Sequence, residues 1–193
     1  MNRPKDFDSA RPYDGKGQRR TLTEGGHICR IQGAREETSR AGAQMLVIAF
    51  EIAEGSELDG YYRDRHEFLT RYNAEAKWPG VFRSVLTTKD GLTNPYFKGL
   101  VSAIEESNPG FAFDFVHPEI LKGRMVGFNF GVREYVKGDG TIGAIVEPFY
   151  AVSVQTVKAG TLQPPKPKLL DRPEGPAAGT SFKEVDNPND LPF

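Results

Sequence analysis

The stretch YYRDRHEFLTRYNAEAKWPGVFR, from Tyr61 to Arg83, interleaves planar rings with cations more densely than any other part of the chain. A guanidinium or ammonium group can pair with a phosphate oxygen, and an exposed ring offers a face on which a base can stack. Together the two contacts hold an unpaired polynucleotide with little regard to its sequence. The candidates here are Tyr61, Arg63, Arg65, Arg71, Tyr72, Lys77, Trp78 and Arg83. A second, smaller set follows later in Arg133, Tyr135 and Lys137, with Arg124 nearby.

If YYRDRHEF is a strand, its alternation places Tyr61, Arg63 and Arg65 on one face and Tyr62, His66 and Phe68 on the other. The first face is then wet and cationic. Each group also has a plainer reading. Arg63 and Arg65 can pair with Glu51 or Glu67 across strands, and Trp78, just before Pro79-Gly80, suits an exposed surface or a packed corner equally well. Tyr62, Phe68, Phe128 and Phe130 read as core, and His27, Cys29 and His117 as structural.

The remaining composition narrows the function classes. The net charge is −1, so the whole-chain balance does not itself point to nucleic acid, and any anion site must come from local clustering. A lone cysteine, Cys29, cannot make an internal disulfide, and His27, His66 and His117 are too scattered to close a metal-ligand set. No metal and no cofactor are expected. The chain has no GxxxxGK[ST] loop, GxSxG elbow or HExxH pair, and its acids show no spacing that singles out two of them. A binding protein is therefore expected rather than an enzyme, with a nuclease as the enzymatic alternative. No apolar run is long enough to span a bilayer and the first residues lack a leader's apolar centre, so a cytoplasmic location is expected.

The elements that must position these residues follow from the period of the apolar pattern. HICRIQGARE, QMLVIAFEIAEG and YYRDRHEFLT read as strands bounded by Gly, Ser and Asp. In the second, Leu46, Ile48, Phe50 and Ile52 make one wholly apolar face. NPYFKGLVSAIEESNPG switches to the helical period: Asn94 can cap, Pro95 suits the first helical position, and Phe97, Leu100, Val101 and Ile104 share a face. Asn108-Pro109-Gly110 ends it. RMVGFNFGVREYV and AIVEPFYAVSVQTV read as two further strands, joined through Asp139-Gly140 as a hairpin.

Three strands, a helix and a hairpin give a mainly β fold. The order suits the OB-fold, a five-stranded Greek-key barrel with the helix between the third and fourth strands. A two-layer α+β sandwich accepts most of the same pattern. Gly127 and Gly131, alternating with Phe128 and Phe130, mark either sharp bending or the close approach of another backbone. Three regions are expected: a flexible basic arm over residues 1–20, the barrel over 21–158, and a disordered Pro/Gly-rich tail over 159–193.

Two parts of the chain resemble known families. The ending, with Asp186, Asn187, Asp190, Leu191, Pro192 and Phe193, is similar to the acidic tip of bacterial single-stranded DNA-binding proteins, with fewer aspartates than is common there. The stretches EGGHICRI, FEIAEGSELDGYY, FKGLVSAIEESNPGF and LKGRMVGFNFGVREY resemble phage and prophage single-stranded DNA-binding proteins. These resemblances imply a protein that coats single-stranded DNA in replication, recombination or repair, with a homo-oligomer as the expected assembly. They further imply that Asp186, Asp190, Leu191, Pro192 and Phe193 dock partner enzymes. An adaptor or virion-associated protein using the same barrel without DNA is the alternative.

Overall fold

The computed structural model describes residues 3–5, 7–8, 20–53 and 55–171. The fold is mainly β. Five strands, β1 (Gly25–Thr38), β2 (Gln44–Ile52), β3 (Val81–Val85), β4 (Met125–Val136) and β5 (Ile142–Val152), form one antiparallel sheet in the order β3-β2-β1-β4-β5. The sheet is open, with β3 and β5 at its edges. Helix α1 (Tyr61–Thr70) lies between β2 and β3, α2 (Pro95–Ser107) between β3 and β4, and the short α3 (Val154–Lys158) follows β5. No helix among the described residues is long and apolar enough to cross a membrane.

The strand β1 joins the two halves of the sheet. Its first residues, Gly25 to Arg30, pair with β4, and from Cys29 onward it pairs with β2, so the partner changes along one continuous strand. Alternation then sends Ile31, Phe50, Phe82, Phe128 and Phe130 into a shared core. The Phe50 and Phe128 rings sit 4.9 Å apart, as do those of Phe82 and Phe128.

Helix α2 closes one side of that core, and its local sequence accounts for it. The Asn94 side chain accepts a hydrogen bond from the Tyr96 N–H, Pro95 occupies the first turn, and Phe97, Leu100, Val101 and Ile104 are all buried. Each such side chain contributes about 1.5–3 kcal/mol of burial. Asn108 then fixes the exit: its amide donates to the Ile104 and Met125 carbonyls while its oxygen accepts from the Met125 N–H.

The segment expected as the third strand is a helix, and this is the main correction. Residues 61–70 form α1, and the third strand is the shorter run Val81–Val85. The cause is a tertiary contact. Gly60 adopts φ 71° at the helix start, where an L side chain is disfavoured, and makes no side-chain cap. The buried Glu51 of β2 supplies one instead, its carboxylate accepting from the backbone N–H groups of Tyr62 (3.0 Å) and Arg63 (2.7 Å). A carboxylate at this end also opposes the positive pole of the helix. Arg20 ties the same corner from outside, pairing with Asp64 and reaching the Glu57 and Asp59 carbonyls.

The domain also extends past the boundary expected at 158. Residues 161–171 lie as an extended strap along the face of β4 that points away from the aromatic core. A side chain at Gly127 would collide with Val157, and one at Gly131 with the Pro165 ring, while the Asn129 amide between them donates to the Gln163 carbonyl. The glycines of GFNFG thus leave room for the side chains of Val157 and Pro165 to pack close over β4. Further on, Lys168 exchanges backbone hydrogen bonds with Val132 and Glu134, so the strap pairs in parallel with the part of β4 that β1 has left uncovered.

Candidate functional site

A cleft separates the two edge strands. Two cavities of about 500 Å³ each lie along it and share Val81, Arg83, Glu147 and Pro148, so they form one continuous groove. Toward α1 the groove is lined by Tyr61, Arg65, Trp78 and Tyr135. Toward α2 it is lined by Asn94, Tyr96, Phe149 and Lys168. Arg65, Arg83 and Lys168 face a single carboxylate, Glu147, among the charged residues lining it.

The helical form of residues 61–70 decides which candidates meet there. Tyr61 and Arg65 are one helical turn apart and share a face, which turns toward the cleft. Arg63, expected beside them on a strand face, points elsewhere: its guanidinium folds over Gly60 and stands 3.8 Å from Asp64. Arg71 and Lys77 are exposed away from the two cavities. So is Tyr72, whose ring packs against Phe68, their centroids 5.1 Å apart. Phe68, expected in the core, is exposed on α1.

Trp78 is half-buried, anchored rather than mobile. Its indole N–H donates to the Phe50 carbonyl at 3.0 Å, and its ring lies 5.5 Å from His66. The residue also lines the cleft. Tyr62 and Cys29 are buried beneath this region, and burial raises both of their pKa values, with the Glu51 charge adding to the shift at Cys29. Both groups are therefore protonated at neutral pH.

The β4–β5 side of the cleft carries the second set. Tyr135 lines the groove, whereas Lys137 stands in the turn beyond it, where its backbone N–H donates to the Thr141 carbonyl. Arg133 is held in a two-pronged pair with Glu147, at 2.7 and 3.0 Å, and that hydrogen bonding raises its already high pKa further. The pair neutralises the carboxylate that would otherwise oppose an anion in the groove.

Sequence reasoning missed Tyr96, Phe149 and Lys168. Phe149 is the extra residue where the β4–β5 register shifts, next to Pro148. A proline inside a strand pattern is the signal for such an irregularity. The ring crosses the backbone at Gly131 toward Pro165, and the Lys168 ammonium sits 4.0 Å from its centroid. Among the described residues no group of three or more His, Cys, Asp and Glu could hold a metal ion. Asp186, Asp190, Leu191, Pro192 and Phe193 lie outside the described residues, as does most of the arm over 1–20. No family model matches the chain, and no curated protein does either.

Proposed function

We propose that the protein binds single-stranded DNA with little sequence preference, along the cleft between β3 and β5. The observation that carries this reading is the gathering of Tyr61, Trp78 and Tyr135 with Arg65 and Arg83 in one groove. Rings that can take a base and cations that can follow phosphates are the two requirements for unpaired strands. The groove runs between two sheet edges, a shape that suits an extended ligand.

The strand order lends further support. A sheet ordered β3-β2-β1-β4-β5, with a helix between β3 and β4, is what a five-stranded Greek-key barrel becomes when its seam between β3 and β5 is left open. OB-folds are such partly open barrels and bind oligonucleotides. On this reading the protein acts in phage DNA replication, recombination or repair, and the residues Asp186, Asp190, Leu191, Pro192 and Phe193 recruit partner enzymes.

Titration of a fluorescent poly-dT oligonucleotide at low and moderate salt tests the reading. Saturable binding that weakens with salt is expected, because phosphate contacts release counterions. Absence of salt-dependent binding contradicts it.

A further inference from the structure

We infer that the strap over residues 161–171 is a wall of the nucleic-acid groove, with Lys168 as a phosphate-binding residue. This inference rests on the reading of the cleft as a single-stranded DNA site. It places a binding residue in a part of the chain whose composition reads as linker.

Three observations converge on Lys168. Its side chain lines the α2-side cavity together with Arg83, Tyr96 and Phe149, so it faces the same space as a cation on the opposite strand. Its backbone is pinned by the paired hydrogen bonds to Val132 and Glu134, both 2.9 Å, so the residue is not on a loose tether. The ammonium rests on the Phe149 ring, which limits where the flexible stem can carry the charge. A lysine held in this way is set before a ligand arrives, which lowers the ordering cost of binding.

The strap can reach that position because β4 makes room for it. With no side chain at Gly131, Phe149 and Pro165 meet over the bare backbone. A Cβ there would stand 2.6 Å from the Pro165 ring and 3.1 Å from Phe149. Gly131 is therefore a positioning residue for Lys168. Lys166, two residues earlier, is exposed and does not line the cavity.

The test is dT oligonucleotide binding by the full chain, comparing wild type with K168A, K168E, K166A and G131A, each checked for an unchanged melting transition. K168A is expected to weaken binding about fivefold and to flatten the slope of log affinity against log salt by about 0.7, the share of one phosphate on a single strand. K168E should weaken it more, and K166A should leave it near wild type. G131A should mimic K168A, and the double variant should lose little beyond either single one, because both act through the same contact. Equal losses in K166A and K168A mean that only net charge matters, and overturn the inference. So does wild-type affinity in K168A. A wild-type chain that binds no dT at any salt overturns the reading of the cleft itself.

Discussion

Helices α1 and α2 are alike in length and opposite in origin. The first turn of α2 holds its own cap and proline, and its buried face repeats at the helical period. Helix α1 buries only Tyr62, lacks a cap of its own, and starts where a carboxylate from β2 meets its free N–H groups. One helix is written locally; the other is imposed by the packed sheet. The candidate site sits on the second kind, since Tyr61 and Arg65 belong to α1.

The contrast can be broken by removing what each helix depends on. Ile104→Ala, which empties a fully buried position of α2, is expected to cost about 2–5 kcal/mol in denaturant unfolding. Glu51→Ala should cost about 1–3 kcal/mol, by leaving buried helix donors without a partner. The same change should weaken oligonucleotide binding, because Tyr61 and Arg65 lose their placement. Binding unaffected by Glu51→Ala would separate the site from α1. Asn94→Ala, which removes the local cap of α2, should cost about 1 kcal/mol, the smallest of the three losses. Hydrogen exchange sharpens the comparison further: amides of α1 should exchange faster than those of α2, since few apolar contacts hold α1 down.

This difference also explains what could be read from sequence. Helix α2, the paired strands β1 and β2, and the β4–β5 hairpin at Asp139-Gly140 were legible because each carries its own signal in cap, period or turn. The residues YYRDRHEFLT were not, because their β-branched-poor but aromatic-rich composition suits either form, and the deciding group, Glu51, is ten positions away from Tyr61 in the chain and adjacent only in the fold. Tyr61, Arg65, Trp78 and Arg83 from one candidate set and Tyr135 from the other were singled out by residue type alone, and the fold lines one groove with all five. Arg63 was misplaced by the period error. Lys168 was invisible for a third reason: a Pro-rich segment buries little surface by itself, yet can lie extended along a strand whose glycines make room for it.

The central claim is that the cleft between β3 and β5 holds unpaired DNA, and the most direct test is a salt series of dT oligonucleotide affinity for wild type and for the Arg65→Ala, Arg83→Ala double variant. The account predicts a linear fall of log affinity with log salt for the wild type. In the double variant it predicts weaker binding and a slope shallower by about 1.4, twice the share of one phosphate. Superimposable salt series for the two proteins would contradict it.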